Sequence, residues 1–350
     1  MRWSLIFALL LTSAAAWAQT FDLQPYGFKP TRNEDYRPHW GSSEVQYLAD
    51  GSLLVAFHSQ VMITGAHDPV SRELEPVDLL HLDAHSGKVL AHTRELVSPY
   101  FQYLWPRESG FLLFSGEQLR ILDDNLKLER DFKIPDAVSA IGVAPVINAL
   151  TVYLRSEEQT QEVRILDLSS FKERESYQIV NGSTPIFLRG GYAAVAHDLR
   201  GNRILKLVHG GLTQRIKLPQ LPCRSRVEAV SAEAEAVFTC GRFTVFGQDG
   251  GQILEGHIGG DEGDPIVIRA ARAPRFALVS IAGFSGYPQD EQRIFGRAFH
   301  VTIYDLRQGK KIFSLKVSPM PKIGGAFALS PDGKHLAILK DGAVEQVEVP

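Results

Sequence analysis

The 350-residue chain predicts an all-β fold, a ring of four-stranded propeller blades, on three observations. Its apolar residues come in short runs rich in Val, Ile, Leu, Phe and Tyr, separated by Gly, Pro, Asp and Ser, the pattern of strands joined by turns. No long segment carries a 3.6-residue apolar period, so no amphipathic helix is expected. The runs also recur: seven begin at 53, 111, 150, 192, 236, 276 and 336, giving spacings of 58, 39, 42, 44, 40 and 60. A period of roughly 40–45 residues with strand-turn-strand content marks units too small to bury their own faces, which therefore stack around an axis. Seven blades is the expected count, with six and eight as competitors because two spacings are wide.

The elements follow in chain order. Residues Met1 to Ala18 carry Arg2, an apolar run from Leu5 to Leu11 and a close on Ala16-Trp17-Ala18, which reads as a secretory signal peptide with an A-x-A cleavage site. The run is shorter than the roughly 20 residues that cross a bilayer, and no later stretch is longer, so no membrane span is expected. Residues 19–350 are then one propeller domain, secreted or periplasmic. Thr20 to Gln24 alternates with period 2 and is expected to join the last blade as its outer strand, because the chain after Val349 leaves that blade with three.

The seven runs, Leu53–Phe57, Phe111–Ser115, Leu150–Leu154, Tyr192–Ala196, Ala236–Cys240, Phe276–Ile281 and Leu336–Leu339, are expected to be strands, one in each repeat. Each is followed by a second run that ends in Asp or a turn, as in LLHLDAHSGK from Leu79, FTVFGQDGG from Phe243 and VTIYDLRQGK from Val301. The Asp, Ser and Gly of these turns supply side-chain bonds to backbone N–H groups and tolerate positive φ. Strands lining the central channel are expected at 45–48, 103–105, 140–144, 185–188, 228–231, 266–268 and 326–329. They read as mostly apolar, which weighs against a catalytic channel.

The last repeat contains Ser330-Pro331-Asp332-Gly333, a turn that resembles the SPDG turn of bacterial WD40-like and YVTN-type propeller repeats. Leu48-Ala49-Asp50-Gly51 is a looser copy, and the Asp-x-x-x-Gly-Lys hairpins at Asp83 and Asp305 are similar to those of the same families. The Trp-Asp dipeptide of eukaryotic WD40 blades is absent. The resemblance implies the architecture and specifies no catalytic residue.

Charge and motifs narrow the function. With 37 Lys and Arg against 40 Asp and Glu, the net charge of -3 offers no field to attract nucleic acid. Cys223 and Cys240, the only two cysteines, are an even pair in an exported chain and are expected to form a disulfide. No H-E-x-x-H pair occurs; His81, His85 and His92 fall in one hairpin of the first blade and read as surface or half-buried. Gly283-Phe284-Ser285-Gly286 is not a nucleophile elbow, and the paired glycines lack phosphate-loop spacing, so no cofactor is expected.

Function is expected on loops held by the rigid ring. Connections between second and third strands share a face with those between blades, and the two wide spacings place insertions there, at 58–77 and 282–297. Candidate contacts are His67, Asp68, Arg72, Tyr287, Asp290 and Arg293, joined by Tyr100 and Trp105 from the connection at 98–105. Asp261, Glu262 and Asp264 offer three carboxylates within four positions, a weak Ca²⁺ pattern without EF-hand spacing. The reading is a monomeric binding or scaffold module for a protein or polar ligand. A propeller enzyme of lactonase-like or quinoprotein-like type is the alternative, on fold analogy alone.

Overall fold

Each predicted apolar run folds as the second strand of a four-stranded antiparallel sheet in the computed structural model, which describes residues 18–28, 43–57, 75–97, 102–115, 117–156, 159–180, 183–258, 265–281, 298–318 and 325–350. Blade I comprises β2 (Ser43–Tyr47), β3 (Leu53–Phe57), β4 (Glu75–Leu82) and β5 (Val89–Val97). Blade II has β6 (Gln102–Pro106), β7 (Phe111–Ser115), β8 (Gln118–Leu122) and β9 (Leu128–Lys133), and blade III has β10 (Val138–Ala144), β11 (Ala149–Leu154), β12 (Thr160–Asp167) and β13 (Glu173–Val180). Blade IV follows with β14 (Ile186–Leu188), β15 (Gly191–His197), β16 (Arg203–His209) and β17 (Leu212–Lys217), and blade V with β18 (Arg226–Ser231), β19 (Ala234–Thr239), β20 (Arg242–Gly247) and β21 (Gln252–His257). Blade VI is β22 (Ile266–Arg269), β23 (Arg275–Ile281), β24 (Phe299–Asp305) and β25 (Lys310–Val317). Blade VII takes β26 (Phe327–Leu329), β27 (His335–Lys340) and β28 (Ala343–Glu348), then β1 (Ala18–Asp22) from the other end of the chain.

First strands touch between blades I and II and from blade III through to blade VII, β26 meets β2, and an apolar cluster joins blades II and III, so the sheets close into a seven-bladed ring around a channel. Period-2 alternation explains the packing. In β3, Leu53, Val55 and Phe57 face blade VII while Leu54 and Ala56 face blade II. Each remaining apolar cluster likewise fills one gap between neighbouring blades. The second strands are therefore buried on both faces, whereas β9 at the rim is exposed along its whole length.

Closure by the N-terminal strand is present, with Phe21 opposite Val344 and Asp22 opposite Ala343. The strand begins two residues earlier than the alternation of Thr20 to Gln24 suggested. Pro25 lacks an N–H and sits in the 3₁₀ turn Gln24–Tyr26, which ends the extended run after Asp22. Phe21 turns toward blade I, and Gln19 Nε2 donates to the His85 carbonyl of that blade at 2.9 Å. Gln346 Nε2 donates to the Tyr47 hydroxyl across the same seam at 2.7 Å. Burial pushes the Tyr47 phenol up to about 12, so it stays protonated.

The turn carboxylates act as the sequence pattern implies. Oδ1 of Asp83, Asp167 and Asp332 accepts backbone N–H bonds from Ser86 at 2.7 Å, Ser170 at 2.7 Å and Lys334 at 3.0 Å. The Ser170 N–H and the Arg174 guanidinium together hold the Asp167 carboxyl down at about 2.

Cys223, in the connection from blade IV to blade V, is joined to Cys240 of the β19–β20 turn, with Cα atoms 5.4 Å apart. Cys240 and Gly241 have φ of 51° and 70°, the left-handed pair of a two-residue hairpin. Arg203 Nη1 donates to the Cys223 carbonyl at 2.8 Å, fixing the connection from its other side. Closing a loop of sequence separation 17 is worth about 3 kcal/mol in the chain-entropy model. Replacing both cysteines by Ser is therefore expected to lower the unfolding free energy by about that amount in urea titration. An unchanged midpoint would show that Arg203 and the turn hold this corner alone.

Candidate functional site

Seven first strands bound the channel, so their side chains decide what it can hold. The sequence ranges predicted a mostly apolar lining, and the structure corrects this in one sector. Arg226 and Glu228 alternate along β18, and Arg269 closes β22. Glu228 Oε1 accepts from Arg226 Nε at 2.9 Å and Nη2 at 2.8 Å, while Oε2 accepts from Arg269 Nη2 at 2.9 Å. Arg269 Nε donates to the Ala229 carbonyl at 2.6 Å. Burial pushes the Arg269 guanidinium down from its usual range, and Glu228 pulls against that. Sequence reasoning missed the two arginines because it bounded each strand by its apolar run; the period-2 spacing R-x-E from Arg226 and the I-V-I-R end of β22 were the available signals. On β2, Gln46 Nε2 donates to Glu44. Ile266, Ile268 and Phe327, on the first strands of blades VI and VII, pack in the apolar cluster of blades VI, VII and I.

Among the predicted contact residues, Trp105 lies on β6, half-buried, its ring stacked on Phe114 with centroids 6.5 Å apart in the gap between blades II and III. His67, Asp68, Arg72, Tyr100, Tyr287, Asp290 and Arg293 lie outside the described residues, as do Asp261, Glu262 and Asp264. The ends that flank these segments are Phe57 and Glu75, Val97 and Gln102, Ile258 and Pro265, and Ile281 and Ala298. The strand order places all of them at second-to-third-strand loops or inter-blade connections, on one face of the ring.

The histidines of the first blade divide. His92 is exposed and contacts the buried Asp78 at 2.9 Å, which Arg94 also clamps through Nη2 at 3.1 Å. His85 is exposed in its turn. His81 departs from the surface or half-buried expectation: it is buried, because β4 is covered by blade II, with its ring against Phe111 at 5.8 Å. Its Nδ1 faces the Asp124 carbonyl at 2.8 Å, which places the proton there, and its Nε2 meets Ser52 Oγ at 2.8 Å. The pairing has the outline of a nucleophile and base. However, Ser52 has a single hydroxyl proton and Asp50 Oδ1, 2.7 Å from Oγ, competes with the imidazole for it while accepting the Ser52 N–H at 2.9 Å, so the hydroxyl is committed within its own turn. The network fastens blade I to blade II. Among the described residues, no three His, Cys, Asp or Glu side chains converge as a metal site, and no helix is long and apolar enough to cross a membrane.

No family model and no curated relative matches the sequence. Solved structures match the fold. A chain of the mitotic checkpoint complex is 12% identical with a TM-score of 0.50, covering 92% of each chain. The WD40 domain of Neurospora crassa Pan2 is 9% identical with a TM-score of 0.51, covering 95% of each. Kuenenia stuttgartiensis hydrazine synthase is 13% identical with a TM-score of 0.51, over 87% of this chain and 94% of that one. At such identities the likeness establishes the WD40-type propeller architecture and nothing finer.

Proposed function

We propose that this seven-bladed propeller is an exported binding scaffold that takes a protein or polar ligand on the face bearing its inter-blade connections. One observation carries the reading: the longest connections all spring from strand ends on that face, while the second strands are consumed by packing. The Cys223–Cys240 disulfide ties a connection to a turn of the same face and suits an oxidising compartment, which agrees with residues 1–18 as a signal peptide. Charges in the channel are held in mutual ion pairs, an arrangement suited to recognition.

The test replaces 282–297 by a short Gly-Ser linker between Ile281 and Ala298 and compares capture of partners from an extracytoplasmic extract of the source cells. Specific partners retained by the full chain should be lost from the variant at an unchanged melting temperature. Identical capture by both would place the binding surface elsewhere.

A further inference from the structure

Blade VI turns a set of polar side chains toward blade V, and they open into a cleft between the two sheets. Alternation along β23 and β24 sends Val279, Val301 and Ile303 into the cluster shared with blade VII, and Phe276, Leu278 and Tyr304 toward blade V. Register continues that second face to the loop-bearing end of the sheet: Thr302 lies opposite Leu278, and His300 lies opposite both Ser280 and Lys316. Directly opposed residues have Cβ atoms about 5 Å apart, so Ser280, His300 and Lys316 form one row at the mouth. The facing wall is Ile258 of blade V, and the cleft encloses about 290 Å³ including its open mouth, room for one small group. At its base Tyr304 is 8% exposed, its ring held against Phe243 and Phe276 with centroids 5.1 and 5.3 Å apart. Burial pushes the Tyr304 phenol up, so its hydroxyl stays protonated.

The hydroxyls of Ser280, Thr302 and Tyr304, the His300 imidazole and the Lys316 ammonium have no hydrogen-bond or ion-pair partner among the described residues. No carboxylate lines the cleft. His257 borders it, but its register with Arg242 puts its side chain, like that of Glu255, on the face of β21 opposite Leu254 and Ile258. One imidazole therefore faces the cleft, too few for a metal, while every polar side chain there can donate. We infer that this cleft is an anion pocket, in which Lys316, His300 and the three hydroxyls take up a single carboxylate or phosphate group. Such a group only accepts hydrogen bonds, so it satisfies the whole set of unpartnered donors at once. The cleft lies at the roots of the connections that leave Ile258 and Ile281. The inference thus rests on the reading of that face as the binding surface, and adds that the ligand brings an acidic group to it.

Calorimetric titration of the full chain with inorganic phosphate, and separately with N-acetylglutamate amide, tests the pocket and distinguishes the two sources of the anion, with chloride at matched ionic strength as the control. The wild type should give saturable binding with at least one of them. Lys316→Gln changes an exposed residue, and Tyr304→Phe keeps the ring packing while removing the hydroxyl at the base. Each should weaken the tighter anion about tenfold at an unchanged melting temperature, the loss of one charge-assisted hydrogen bond. Absence of saturable binding in the wild type, or undiminished binding in either variant, would overturn the inference. The reading of the face is judged separately by partner capture. Capture lost on replacing 282–297, with neither anion bound, would keep that face and sink the pocket alone; an anion bound, with capture unchanged by the replacement, would do the reverse.

Discussion

Phe21→Ala should cost about 3–5 kcal/mol of unfolding free energy, a loss ordinarily reserved for large side chains in the middle of a core. Phe21 is the fourth residue of a five-residue strand, yet it is 6% exposed and packs in the cluster that spans blades VI, VII and I. Two features make its seat specific. It belongs to the strand that completes blade VII, and its ring lies over Gly87 in the turn of blade I, where a Cβ would come within 2.2 Å of Phe21 Cδ1. Gly87 also has φ of +69°, so Gly87→Ala is strained in its own backbone and clashes with the ring. A double-mutant cycle separates the two contributions. Gly87→Ala alone should destabilise by about 2–3 kcal/mol, whereas in the Phe21→Ala background only the backbone part, about 1 kcal/mol, should remain. Deleting residues 19–22 should exceed Phe21→Ala, because it also frees the edge of β28. If Phe21→Ala melts with the wild type, the seam between the ends of the chain is not holding the ring shut.

Much of this architecture is legible in the sequence because both faces of a second strand are buried, and such strands appear as uninterrupted apolar runs. Leu53–Phe57 and Phe111–Ser115 match β3 and β7 residue for residue. Turn carboxylates such as Asp83 and Asp332 are equally readable, since an Asp before Ser or Gly has a local backbone task that needs no tertiary context. What fails is the rule that a strand stops where its apolar run stops. It trims Arg226 from β18 and Arg269 from β22, and those two residues give the channel its charge. His81 shows the same limit from the other side: a polar residue in a third strand is read as outward until a neighbouring blade is known to cover it. Sequence assigns residues to strands, but which face a neighbour buries is decided by the ring.

Glu235→Leu should stabilise the protein increasingly as pH rises, with a gain approaching about 5 kcal/mol above pH 8. Reading the strand from its apolar run starts it at Ala236 and leaves Glu235 in the preceding turn; the structure instead places it inside β19. Its neighbours across the sheet are Ala229 and Phe246, and both belong to the apolar cluster between blades IV and V. The carboxyl is fully buried, and neither oxygen has a hydrogen-bond partner among the described residues. Burial, with a smaller push from Asp249, raises its pKa to about 8, against about 4.3 for an unperturbed Glu. The folded protein therefore holds a proton that the unfolded chain has released at neutral pH. The stability tied to this group is fully present below about pH 4.3, falls by about 1.4 kcal/mol per pH unit, and levels off once the folded carboxyl ionises near pH 8. Leu removes the titration and fills the site with apolar volume. Urea unfolding of wild type and variant from pH 5 to pH 9 reads the effect as two curves that diverge steadily toward alkaline pH. Parallel curves would mean that the carboxyl finds solvent or a partner in the folded ring, and that the gap between blades IV and V tolerates charge.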